Sequence, residues 1–349
     1  MLPKRTGSND ANTMHRIRSF MMMLVLSAML MTGSEGAGAA ATKIRIGYLH
    51  TLAVDSHLWL GIERGVFEKY GLQLELTRFN SGVPLMQALA GGSIDVGIMG
   101  AVISNFPSRG VGKVFLLNNL EHGTAVIFVQ DESGIYSVRD LNGRKVTTTR
   151  GTTADVLLYI ALQKAGVKYT DVNVINMDMA AAVSAFIAGA SDAVSTWWPF
   201  DLYIMKNRPT ARKLTQAGDY FPDAAIAGGW VASNRFYERE RPTLVKLARA
   251  WLEVNELLLN DTDRSLKTIQ QAAYPELDYE ELLDGFRKEK VFRNEEWAGM
   301  YRDGRAAKWI GQVEEVFMRL GAFTDWVPPE RFFDPSVYLE AYEAYKSTR

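Results

Sequence analysis

Arg150-Gly151-Thr152-Thr153 stands at a predicted strand-to-helix junction and combines four features useful for holding an anion. Gly151 lets the backbone approach closely, and the two hydroxyls and the N–H groups behind them can donate to sulfonate or carboxylate oxygens. Thr152 can equally serve only as an N-cap, and Arg150 either pairs with the anion or points to solvent. A second polar loop, Thr51 to Ser56 and on to His57, offers Thr51, Asp55 and His57; Asp55 touches a ligand there or merely caps the following helix. Trp197 and Trp198 end a predicted strand, either as an aromatic wall for an apolar or cationic ligand portion or as core. His50, Asp55, His57, Glu121 and His122 are metal-type donors, but no pair has the i, i+4 spacing of a helical metal motif, so neither metal nor cofactor is expected. There is no G-x-S-x-G elbow, H-E-x-x-H, phosphate-binding G-x-x-x-x-G-K-[ST] or dinucleotide fingerprint, which argues against an enzyme.

The elements that must position these residues recur in order. Lys43–Tyr48 alternates as a strand, a helix runs from Leu58 to Tyr70 and stops at Gly71, and Leu72–Leu76 is a second strand. A helix over Val83–Ala90 and a buried strand over Ile94–Met99 complete strand–helix–strand–helix–strand, the alternation of a parallel sheet. The series repeats as Lys145–Thr149, Ala154–Ala165 ended by Gly166, Val172–Ile175, Ala180–Ala188 and Ala193–Thr196. Ala88-Leu89-Ala90-Gly91-Gly92-Ser93-Ile94-Asp95 aligns with Ala185-Phe186-Ile187-Ala188-Gly189-Ala190-Ser191-Asp192 at a constant offset of 97. Two lobes built alike are therefore expected. Pro242–Leu259, Tyr279–Glu289, Ala306–Leu320 and Pro335–Lys346 read as amphipathic helices packed on the first lobe. The crossings between lobes are placed near Val126–Val129 and Trp230–Ser233.

The chain has 349 residues, 39 Lys and Arg against 40 Asp and Glu, and no cysteine. The balanced charge does not point to nucleic acid, and the missing thiol excludes disulfides, thiolate metal sites and a cysteine nucleophile. Lys4, Arg5, His15, Arg16 and Arg18 precede an apolar run from Phe20 to Met31, followed by Gly36-Ala37-Gly38-Ala39-Ala40-Ala41. That run is too short to span a bilayer, which needs roughly 20 residues. It reads as a secretory signal peptide over 1–41 with cleavage near Ala41, and a periplasmic, monomeric mature protein is expected.

Phe79-Asn80-Ser81-Gly82, then Ala88-Leu89, Gly92, Ile94-Asp95-Val96-Gly97 and Gly100, resembles the nitrate/sulfonate/taurine solute-binding proteins of ABC importers. Gly65-Val66-Phe67-Glu68-Lys69-Tyr70-Gly71-Leu72, Gly151-Thr152-Thr153-Ala154 and Asp192 followed by Trp197-Trp198-Pro199 agree, and the resemblance spans about Ile44 to Phe236. It implies an α/β, two-lobed periplasmic-binding-protein fold (type II, Venus-flytrap). Each lobe is then a mostly parallel sheet flanked by helices, with a helical C-terminal third on lobe 1. The expected lobes are residues 42–128 with 231–349, and 129–230. Ligand would sit between them, at strand C-termini, and pass to a membrane permease driven by an ATPase. The resemblance places Thr152 and Thr153 on the anionic group and matches Trp197 to the family's tryptophan. Gly100 and Ala101 fall where sulfonate binders show consecutive serines; Ala101 and Val102 remove those hydroxyls and make the wall apolar. Where taurine binders neutralise the amine, Ala227-Gly228-Gly229-Trp230 holds no acid; Glu121 and Asp223 are the nearest substitutes, or else solvated surface acids. The expected ligand is a small organic anion, sulfonate-like or related. A pyrimidine or other flat heterocycle is the alternative, with a fold-related enzyme or an exported sensor behind it.

Overall fold

The computed structural model describes residues 41–348, so the expected leader lies outside the described residues except for Ala41. The strands are β1 (Thr42–Leu49), β2 (Leu72–Phe79), β3 (Val96–Met99), β4 (Lys113–Glu121), β5 (Ala125–Val129) and β6 (Lys145–Thr148). They continue as β7 (Asn173–Asn176), β8 (Ala193–Trp197), β9 (Arg212–Gln216), β10 (Ile226–Ala232) and β11 (Glu289–Lys290). The helices are α1 (Leu52–Glu63), α2 (Val66–Lys69), α3 (Gly82–Ala90), α4 (Thr153–Ala165), α5 (Met179–Ile187), α6 (Phe200–Asn207) and α7 (Asn234–Arg239). Then come α8 (Arg241–Asn260), α9 (Thr262–Ala273), α10 (Tyr279–Lys288), α11 (Asn294–Arg302), α12 (Arg305–Arg319) and α13 (Pro335–Lys346).

Two mixed sheets form, in the orders β11-β4-β10-β3-β1-β2 and β7-β6-β8-β5-β9. In the first, β1 is parallel to β2 and β3 while β10 runs antiparallel between β3 and β4. In the second, β6 is parallel to β7 and β8 while β5 runs antiparallel between β8 and β9. The patterns match, and each sheet borrows its antiparallel strand from the chain segment that has just left the other sheet. β3 and β5 are buried at every residue, as strands covered on both faces must be.

The repeated aspartates explain the sequence match. Asp95 accepts from the backbone N–H of Arg45 at 3.0 Å and from its guanidinium at 2.6 and 3.0 Å, closing the start of β1. Asp192 accepts from Lys145 N–H at 2.8 Å and closes the start of β6 in the same way.

Three expectations need correction. The first helix starts at Leu52, not Leu58, because residues 52–58 are all buried and so show no amphipathic period to read. The crossings lie between Glu121 and Ala125 and between Gln216 and Ile226, since Ala125–Val129 already belongs to the second sheet and Ile226–Ala232 to the first. The C-terminal helices are not confined to the first sheet. Trp251, Trp297 and Tyr338 join its core, but α12 also sends Val313, Val316 and Phe317 into the cluster around Ile127 and Val146 of the second.

Candidate functional site

In the first sheet, the C-terminal ends of β1, β3 and β4 share an edge with the start of β10. Polar groups from both sheets gather at this edge. Met99 ends β3, and Gly100 follows. A methyl group built on Gly100 would stand 2.6 Å from Thr153 Oγ1 and 3.3 Å from Glu121 Oε1. The missing side chain therefore admits a hydroxyl from the second sheet's α4 and a carboxylate from β4 to the same spot. Ala101 N–H donates to Thr153 Oγ1 at 3.1 Å, and Thr51 Oγ1, at the N-cap of α1, donates to the Trp198 carbonyl at 2.8 Å. Trp198 N–H donates in turn to the Thr124 carbonyl at 2.9 Å. These bonds tie the loop after β3 and the start of α1 to the second sheet.

Carboxylates dominate the electrostatics. Asp55 is fully buried in the first turn of α1, with hydrogen bonds to His50 Nδ1 (2.9 Å), Trp59 Nε1 (3.0 Å) and Tyr274 Oη (2.6 Å). Burial raises its pKa and these bonds oppose the rise. Glu121 ends β4 with Oε2 accepting from Thr124 Oγ1, and burial pushes it up to about 7. Glu289, paired across from it on β11, has no partner on either oxygen; burial holds it well above the usual carboxylate range, and the charges of Glu121 and Asp55 add to that. A buried carboxyl without a partner neutralises rather than carry its charge, so Glu289 stands here as an unsatisfied polar group. Asn119, also fully buried, leaves Nδ2 without an acceptor, as Trp198 does Nε1 and Thr196 its hydroxyl.

Thr51, Asp55, Gly100, Ala101, Glu121, Thr153 and Trp198 are thus brought to this region. Thr152 lies beside it, buried, but its hydroxyl donates to the Thr149 carbonyl at 2.6 Å and makes no capping bond. Asp155 takes the N–H of Gly151 at 2.8 Å, so a carboxylate of the chain already occupies the turn expected to hold an anion. The others go elsewhere. Arg150 is exposed and lies along β7, its Nη2 donating to the Val174 carbonyl at 3.2 Å. His57 turns into the helical layer, stacked on Trp251 with centroids 4.6 Å apart and bonded through Nε2 to Asn255 Oδ1 at 2.9 Å. Burial lowers it to about 4, so it is a neutral core residue rather than a ligand contact. Trp197 is half-buried and packs edge-on against Phe200. The fully buried member of the pair is Trp198, which joins the first sheet's core and meets Tyr274 edge-on at 5.6 Å. Asp223 is exposed and pairs with Lys164 at 3.4 Å, as a surface acid. Of the acids weighed for a ligand cation, Glu121 is the one placed there.

Sequence reasoning missed Glu289, Asn119 and Tyr274. Glu289 read as the last residue of a helix, and only the strand register shows that it stands opposite Glu121, 168 positions away. Among the described residues no cluster of three or more His, Asp or Glu could hold a metal ion.

A family model described as "NMT1/THI5 like" matches residues 56–265. A putative binding protein of Brucella abortus (strain 2308) is 30% identical over 290 residues, covering 83% of this chain and 89% of that protein. Among solved structures, the alkanesulfonate-binding protein SsuA from Xanthomonas axonopodis pv. citri, bound to MOPS, superposes with a TM-score of 0.70 at 21% identity. The match covers 85% of this chain and 99% of that one. The desulfurization enzyme DSZB superposes with a TM-score of 0.64 at 14% identity, covering 87% and 99%. The periplasmic-binding-protein fold is shared by these neighbours, and a protein of that fold either binds or converts its ligand.

Proposed function

We propose, from the premise that this chain belongs to the NMT1/THI5-like family, that it is the extracytoplasmic solute-binding component of an ABC importer. It captures a small polar molecule between two lobes and hands it to a permease without transforming it. The two sheets are the cores of those lobes. The observation that carries this reading is the convergence on Gly100: a hydroxyl from one sheet and a carboxylate from the other meet where a side chain is missing, beside buried polar groups that lack partners. The leader pattern over 1–41 and the names of the relatives support a periplasmic location. Among the described residues no helix is long and apolar enough to cross a membrane.

Closure of the lobes supplies the affinity. A micromolar complex requires about −8 kcal/mol, and a ligand of about seven heavy atoms reaches roughly −10 kcal/mol at the efficiency ceiling. Nearly every polar atom of such a ligand must then be paired, which suits a place with several unpartnered buried groups. Thr152 and Thr153 remain in this proposal as lobe-two contacts, and Thr153 faces Gly100 and Ala101 of lobe one. The test is titration calorimetry with ethanesulfonate, taurine, nitrate, bicarbonate and pyrimidines, alongside native mass spectrometry of protein purified without refolding. The expected outcome is micromolar binding of at least one solute, recovered chemically unchanged. Covalent conversion of the captured solute, or silence across the panel with no retained small molecule, overturns the reading.

A further inference from the structure

Glu121 closes β4 and Glu289 opens β11, and the antiparallel register sets them directly opposite each other. Directly opposed side chains of a sheet share a face, with Cβ atoms about 5 Å apart. Both residues are more than nine-tenths buried, at 7% and 8% exposure. Glu121 has a single partner, the Thr124 hydroxyl, and Glu289 has none.

The surrounding charges do not neutralise this pair. Lys288, the residue before Glu289, is engaged by Asp201 at 2.9 Å and Asp284 at 2.6 Å. His50 is committed to Asp55, itself an acid that adds to the field on Glu289. Tyr274 spends its hydroxyl hydrogen on Asp55, and Arg78 stands exposed at the end of β2. Arg150, the cation expected to meet an anionic ligand, lies along β7 instead. A second, independent feature lies beside the pair. Asn119 lies two residues before Glu121 on the same face of β4, is fully buried and leaves its amide nitrogen unpartnered. Its Oδ1 lies 2.5 Å from a methyl built on Gly228, a position 3.3 Å from the Met99 carbonyl, so this amide lies over the ends of β3 and β10, next to Gly100. A bare sulfonate here would meet two acids and no basic side chain.

We propose, resting on the solute-capture reading above, that the solute carries a cationic nitrogen donor group, an amidinium or ammonium, seated between Glu121 and Glu289. Two or more N–H donors satisfy the carboxylates, charge-assisted bonds being the strong ones. Seating the cation favours the ionised pair, so binding expels protons from the Glu121 carboxyl, which burial raises to about 7, and from Glu289, which burial and the neighbouring acids raise above the usual carboxylate range. Affinity therefore rises with pH across neutrality.

Titration calorimetry with benzamidine hydrochloride, whose charge is constant between pH 6 and 8, and with sodium ethanesulfonate tests this. Each titration is run at pH 6, 7 and 8 in two buffers of different ionisation enthalpy. The expected result is benzamidinium binding with proton release near pH 7 and a dissociation constant that tightens about tenfold from pH 6 to 8. Glu289→Gln should weaken it at least tenfold, while Glu289→Asp, which keeps the charge, weakens it less; circular dichroism melts confirm that both variants fold. Absent binding, binding without proton release, or an unchanged Glu289→Gln variant overturns the cationic assignment. Ethanesulfonate binding in preference to benzamidinium overturns it too but leaves solute capture standing. Silence with every solute of the wider panel removes both.

Discussion

Glu121 ties function to stability through a single proton. Its pKa is raised from 4.5 to about 7 in the folded chain. Below 4.5 both states hold the proton and folding pays no penalty. Between 4.5 and 7 the unfolded chain releases a proton that the folded chain keeps, so stability falls as pH rises, and above 7 the full loss is about 3 kcal/mol at 1.36 kcal/mol per unit. His57 carries the opposite sign: lowered from 6.5 to about 4, it loses stability as pH falls through that window. Glu121→Gln keeps the shape and the bond from Thr124 while removing the charge. It should raise the melting temperature by several degrees at pH 8 and leave it unchanged at pH 4.5, read by paired thermal melts. A lower melting temperature at pH 8 would mean that the carboxylate is well compensated in the solute-free protein, not stranded.

At the scale of elements, the loop after β3 is the joint of the site. Gly100 leaves space that a side chain would fill, between Thr153 and Glu121. Gly100→Ala drives a methyl to 2.6 Å from Thr153 Oγ1. The hydroxyl must rotate away and release Ala101 N–H. We expect solute affinity to drop about tenfold, near 1.4 kcal/mol. Thr153→Ala added to it should cost little more, because both changes break one contact; fully additive losses in a double-mutant titration would separate the two residues. How far the sequence revealed this joint depended on range. Thr153 was read from its place at a local strand-to-helix junction and Gly100 and Ala101 from the resemblance to sulfonate binders, while the recurring Asp95 and Asp192 exposed the duplicated sheets. The buried first turn of α1 hid its own start, having no polar face to set a period. The crossings were misplaced because β5 and β10 exchange sheets, which only pairing shows. Glu289 and Asn119 stayed hidden for the same reason: their importance lies in what stands opposite them across β4, β10 and β11.

For the whole molecule, the same argument becomes one about populations. Among the described residues, the Thr51 hydroxyl on the Trp198 carbonyl and the Ala101 N–H on the Thr153 hydroxyl are side-chain bonds that join opposite sheets with almost no solvent access. Each is worth about 1 kcal/mol net, a size suited to a clamp that must reopen, since a solute shifts the balance only by its differential affinity for the two arrangements. Stronger joints would hold the lobes together without cargo, and α12, packed into both cores, already ties them on one side. Thr51→Val with Thr153→Val removes both bonds at nearly constant volume, and within the clamp reading about 2 kcal/mol shifts the equilibrium toward separated lobes by roughly thirtyfold. The solute-free double variant should show a larger radius of gyration by small-angle X-ray scattering and a solute affinity weakened by at least tenfold. Its melting temperature should move little, because each lobe keeps its own core. Unchanged scattering and unchanged affinity would mean that α12 and the apolar packing of Trp198 hold the two sheets in place, and that capture proceeds without a moving jaw.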